Sequence, residues 1–209
     1  WHMVSKLLLA VQEVFFKALE TDADQATCHR LGEFYYRIAA GLCFNKTPSE
    51  YGAFPTDPYS HTPRHAGARQ PGMTGQVKEE VLSRFGELGV RVNNGTVQFN
   101  PCLLRQREFT ATSRDFRFLD VDGEWHDLEV PLAGLAFTWC QVPVIYQLDD
   151  EAEASLTITL DSGEQQTLAQ LCLPASESSE LFQRSGRIRQ LKLVFSTRLL
   201  FSASQTEKN

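Results

Sequence analysis

The residues of this sequence that could do chemistry gather in one stretch, 45–73, and at the helix start that follows it. Asp57, Ser60 and His61 are the residue types of a hydrolytic triad. A triad is made by geometry across a fold, however, and near-consecutive positions in a proline-rich loop do not supply it. His61 and His65 stand four apart, the spacing of a helical metal pair, but Pro63 between them breaks the helix and no acidic third ligand is in place. Glycoside cleavage uses two carboxyl groups across the scissile bond. Glu79 and Glu80 are adjacent on a helix, so their side chains diverge; they read as surface charges that suit the positive end of the helix dipole. The most specific physical feature is the helix start at Thr74-Gly75-Gln76. Its free N–H groups favour an anion or a sugar oxygen, and Gly75 permits close backbone approach. His61, Arg69 and Gln70 precede it and are candidates to add hydrogen bonds. The candidate substrate- or anion-binding set is therefore Thr74, Gly75, Gln76, His61, Arg69 and Gln70, with no catalytic residue, metal site or cofactor site identified.

Helices must position this set. Val4, Leu7, Leu8, Val11, Val14, Phe15 and Leu19 recur at three- and four-residue steps and predict a first amphipathic helix. Thr21-Asp22-Ala23-Asp24 breaks the pattern, with Asp24 as N-cap of a second helix carrying Leu31, Phe34, Tyr35, Ile38 and Leu42. Two helices on so short a link pack antiparallel, yet they make a poor core and need further partners. Five prolines, Pro48 to Pro71, and three glycines forbid a long helix or central strand over 45–73. Phe44, Tyr51, Phe54 and Tyr59 predict a loop folded onto the protein, not a solvated linker. A third helix follows over Thr74–Leu88, with Val77, Val81, Leu82, Phe85 and Leu88 on its apolar side and Gly89 placed to end it.

Helical periodicity then stops. Val90–Val92 and Thr96–Phe99 flank Asn94-Gly95, the strongest short hairpin signal. Strands are predicted at Phe116–Val121, Trp125–Val130, Leu135–Thr138, Val142–Leu148, Leu156–Leu160 and Leu191–Phe195, with one short helix near Ser178–Arg184. Short strands separated by turns argue for an antiparallel sandwich. The expected organisation is α+β: a helical segment 1–89 with its long loop, then a β-sandwich domain 90–209. Trp125 and Trp139 fall within strands, where tryptophans mostly pack inward; on an exposed face either would be a stacking platform for a sugar.

Composition bounds the partners. The chain has 209 residues, 42% hydrophobic and 22% charged, as an ordinary folded protein has. A formal charge of −6 without a basic stripe argues against nucleic acid. The five cysteines form no C-x-x-C pair and read as small buried thiols in a reducing compartment, consistent with a cytoplasmic location. No stretch is long enough to span a membrane, and the Leu7–Ala10 run is too short for a signal peptide. Trp1-His2-Met3 reads as an expression remnant ahead of a fragment.

Three runs carry a family resemblance: Gln70-Pro71-Gly72-Met73-Thr74-Gly75-Gln76, Gly86-Glu87-Leu88-Gly89-Val90, and Val97-Gln98-Phe99-Asn100-Pro101-Cys102. Their order resembles the end of the cellobiose and chitobiose phosphorylase family over about residues 67–103. The resemblance implies the closing part of an (α/α)6 toroid followed by a β-sandwich. It implies a Thr-Gly contribution to a phosphate site, here Thr74 and Gly75. Pro71, Met73 and Val77 stand where that family usually has tryptophans, so hydrolysis and phosphorolysis both remain open. The general acid of such toroids lies upstream of the matched residues, which implies a fragment inactive alone. Its partners would be a glycan substrate and an upstream helical domain of the same protein. The competing readings are a non-catalytic carbohydrate-binding module and a structural domain that closes or oligomerises a toroid.

Overall fold

Apolar residues at helical spacing build the front of the chain into a hairpin of two helices, α1 (His2–Glu20) and α2 (Gln25–Gly41). The computed structural model describes residues 2–41 and 77–202. Asp24 caps α2 as expected: its carboxylate accepts from the Thr27 N–H at 2.9 Å and from the Thr27 hydroxyl at 2.7 Å. After the undescribed stretch, α3 (Val77–Leu88) runs into Gly89, whose φ of +75° ends the helix. The boundary between two compact units falls between Gly86 and Glu87.

In the helical unit the buried faces differ from those the periodicity predicts. α1 buries Leu8, Phe15 and Phe16 together with Ser5 and Gln12, while Leu7 and Val14 are 51% and 52% exposed. α3 buries Glu79, Ser83 and Gly86 and leaves Val81 and Leu82 exposed. The reason lies in packing. Gln12 Nε2 donates to the Ser83 carbonyl at 2.7 Å, and Gly86 leaves the space that the Gln12 amide fills. A side chain at position 86 would occupy the same volume.

The second unit opens with the β1 (Val90–Asn93) and β2 (Thr96–Phe99) hairpin, turned by Asn94 and Gly95 at φ +49° and +78°. β3 (Arg114–Leu119) and β4 (Trp125–Val130) form a separate two-stranded ribbon. β5 (Gly134–Trp139), β6 (Val142–Leu148), β7 (Ser155–Leu160), β8 (Gln165–Leu168) and β9 (Ile188–Phe195) form one sheet in the order β5-β6-β9-β7-β8. Helix α4 (Ala175–Gln183) precedes β9. The class is α+β. The pairing is antiparallel except between β6 and β9, which run parallel. In place of two matched antiparallel sheets, the described strands form one mixed five-stranded sheet and two separate two-stranded pieces.

The sheet's core follows from strand alternation. Val144 and Tyr146, Leu156 and Ile158, and Leu191, Leu193 and Phe195 are all fully buried. Each such side chain contributes on the order of 1.5–3 kcal/mol through burial. Tyr146 sits at the centre, edge-on to Phe99, Phe137 and Phe195 at 6.3, 5.2 and 5.1 Å. Its hydroxyl donates to the Leu88 carbonyl at 2.6 Å, satisfying a helix-terminal acceptor. The β1–β2 hairpin is held through Phe99 N–H to Leu171 O, Leu173 N–H to Val97 O, and the Ser178 hydroxyl, which accepts from Val97 N–H at 3.0 Å.

Candidate functional site

All six residues predicted to bind substrate or anion, Thr74, Gly75, Gln76, His61, Arg69 and Gln70, lie outside the described residues. So do Asp57, Ser60, His65 and the tyrosines of the proline-rich stretch. What is described of that region is the helix immediately downstream. There Glu79 is not the surface charge expected: it is 5% exposed, while Glu80 is exposed. Glu79 Oε2 and the Ser83 hydroxyl are buried one helical turn apart and have no hydrogen-bond partner. With Ser5 and Gln12 they make a polar seam inside the helical unit, where an apolar core would be the ordinary solution.

The second unit contains a cleft of about 430 Å³ lined by Phe118, Asp120, Asp122, Glu124, His126 and Arg189. The Asp120–Glu124 turn between β3 and β4 supplies three of these, and β9 supplies Arg189 from 67 residues downstream. Asp120 is the hub. Its Oδ1 accepts from the N–H groups of Asp122 and Glu124, both at 2.9 Å, and Oδ2 lies 2.8 Å from His126 Nε2. Arg189 Nη1 bonds Asp122 Oδ2 at 2.8 Å and approaches Asp120 Oδ2 at 3.7 Å. Phe118 stacks on the His126 ring at 5.6 Å and on Phe116 at 6.0 Å.

The tip of the β5–β6 hairpin reaches the same turn. Cys140 and Gln141 form a two-residue loop with φ of +51° and +67°, a conformation that favours Asn-Gly and strains other residues by about 1 kcal/mol each. Gln141 Nε2 donates to the Asp120 carbonyl at 2.9 Å. A strained turn and a charged one are thereby fastened together.

The electrostatics favour binding or fastening over acid–base chemistry. The Glu124 N–H, the His126 ring and the Asp122 N–H hold the Asp120 carboxyl below its ordinary pKa. The hydrogen bond that Arg189 donates to Asp122 raises the Arg189 pKa. A lowered pKa does not suit Asp120 to be the general acid of glycoside cleavage. No group of three or more His, Cys, Asp or Glu among the described residues is arranged to hold a metal ion. Of the described cysteines Cys28 is buried and Cys102, Cys140 and Cys172 are half-buried; Cys43 lies outside the described residues.

Trp125 departs from the inward packing expected of a strand tryptophan. It is 61% exposed, and the Arg117 guanidinium lies 5.3 Å from its ring centroid. Trp139 is half-buried. The alternation of β4 carried a usable signal: Leu128 and Val130 occupy the inward parity, and Trp125 the other. No described helix is long and apolar enough to cross a membrane. No protein-family model matches the sequence, and no curated protein is significantly similar to it.

Proposed function

We propose that the chain is the closing part of a carbohydrate-active enzyme, a glycoside hydrolase or phosphorylase, and that it is inactive without an upstream helical domain. The observation that carries this reading is the outer face of α1. Val4, Leu7 and Val14 are exposed, and with half-buried Val11 they line one side of the helix, about a third of a turn from the buried face. Val81 and Leu82 on α3 are exposed as well. A helix apolar on two faces belongs inside a larger helical array, and a toroid of helical hairpins would cover the second face. The glycan assignment comes from the resemblance of the runs around Thr74, Gly89 and Asn100 to the phosphorylase family. Two of those runs close on each other. Asn100 N–H donates to the Gly89 carbonyl at 2.8 Å, and a side chain at position 89 would collide with the Asn100 carbonyl. The shared glycines and turn thus form one clasp at the start of the β-rich unit.

The competing reading, a non-catalytic carbohydrate-binding module, is favoured by the exposed indole of Trp125. The test is turnover of disaccharides and aryl glycosides, with and without phosphate. The chain alone is expected to be inert, and the chain joined to its upstream region active. Turnover by the chain alone, or an inert joined protein, would overturn the enzyme reading.

A further inference from the structure

We propose that the outer face of the β3–β4 ribbon is a surface strip that binds a neutral oligosaccharide, with Trp125 as its stacking platform. The inference rests on the carbohydrate reading and adds to it a site and a mode of binding. Register places three cross-strand pairs: Leu119 with Trp125, Arg117 with Asp127, and Asp115 with Glu129. These six alternate with Phe116, Phe118, His126 and Leu128, so they share the opposite face, and all six are exposed.

The chemistry along the strip changes from aromatic to polar. At one end the Arg117 guanidinium lies over the Trp125 indole, 5.3 Å from the ring centroid. At the other end Asp115 and Glu129 sit directly opposite each other, like charges in a position that costs a ribbon stability. The Asp115 and Asp127 carboxylates enter no hydrogen bond or ion pair with the described residues, and Glu129 Oε1 accepts from the Ser113 hydroxyl at 2.6 Å. Carboxylates that lack protein donors can accept from the hydroxyls of a sugar, and the guanidinium can donate to them.

Size and charge exclude a large protein interface and a nucleic acid. Five residues of strand give a strip about 14 Å long and two strands wide, suited to two or three sugar rings. A stable protein interface takes about 800 Å² per partner, far more than the strip offers. Three carboxylates against one guanidinium, on a chain of net charge −6, repel a nucleic-acid backbone.

The experiment is calorimetric titration of the chain with gluco-, xylo-, chito- and malto-oligosaccharides, and with a lysine-rich peptide. At least one neutral series is expected to bind, with little dependence on salt. Trp125→Ala should weaken that binding about tenfold or more, Asp127→Asn severalfold, and Trp125→Phe should keep part of it. Circular dichroism confirms that each variant is folded. No binding by the folded wild type, binding indifferent to Trp125→Ala, or binding of the basic peptide alone would overturn the proposal. Turnover by the joined protein separates the two claims. Oligosaccharide binding through Trp125 in an inert joined protein sinks the enzyme reading and leaves the strip, and turnover without such binding does the reverse.

Discussion

Both units of this chain bury apolar residues, but they differ in how much polar matter they hide beside them. The β-rich unit hides Val144, Tyr146, Leu156, Ile158, Leu191, Leu193 and Phe195 completely and keeps most of its charge outside. The helical unit hides Leu8, Phe15, Phe16 and Tyr35, but with them Ser5, Gln12, Glu79 and Ser83, and it leaves Val4, Leu7, Val14, Val81 and Leu82 exposed. Both follow from the same rules of periodicity, so the difference concerns what surrounds each unit. Exposed apolar residues that stand singly need no explanation, whereas a line of them along a helix marks a surface made to be covered. Under the proposed reading, further helices would cover the line of apolar residues on α1.

The largest effect that would break this comparison is in the core of the β-rich unit. Tyr146→Ala is expected to cost about 3–5 kcal/mol in denaturant unfolding, since it empties the centre of four aromatic rings and orphans the Leu88 carbonyl. A loss below about 1 kcal/mol would mean that the core is not the stabilising element. Gly89→Ala comes next, at roughly 2–3 kcal/mol, because it combines a left-handed backbone with a collision at the Asn100 carbonyl. Unfolding curves for Gly89→Ala that overlay those of the wild type would remove the clasp from the argument.

The charged turn gives a pH dependence of known sign. Hydrogen bonds from the Glu124 N–H, the His126 ring and the Asp122 N–H depress the folded-state pKa of Asp120. Its contribution is therefore complete above the unfolded carboxyl value of about 3.9 and is lost as pH falls through the lower folded value. Thermal unfolding from pH 6 to pH 2.5 should show a fall below about pH 4 that is shallower in Asp120→Asn. Parallel profiles would show that the turn is not held by this carboxylate. The smallest effect is expected at Leu7→Lys, which should change the stability of the chain alone by no more than about 0.5 kcal/mol. The same substitution should be severe once the upstream helices are present, and equal effects in both settings would argue against a covered face.

Much of this architecture is legible in the sequence, because alternation and turn residues act locally. The β1–β2 hairpin announces itself through Asn94-Gly95, and the strands from Phe116 to Phe195 through apolar parity. β8 is not legible, since Gln165, Gln166 and Thr167 are exposed and the strand exists only through its register with β7. The Cys140-Gln141 turn lacks the glycine that would have marked it. The parallel β6–β9 pair and the approach of Arg189 to Asp122 depend on closure across long stretches, which no local pattern encodes. On the helices hydrophobicity alone is right only in part: Leu8, Phe15, Tyr35 and Leu88 are buried as expected, but Leu7 and Val14 are exposed and Gln12 lies inward, bonded to Ser83 on another helix. The six residues expected to bind substrate or anion lie outside the described residues.

Amide hydrogen exchange tests the central claim most directly, read on the chain alone and on the chain joined to its upstream region. The proposed cover over the helical unit predicts low protection in α1 and α3 of the chain alone, well below that of β6 and β9, and a marked rise in the joined protein. Protection in α1 and α3 equal to that of β6 and β9 in the chain alone, with no rise on joining, would contradict it.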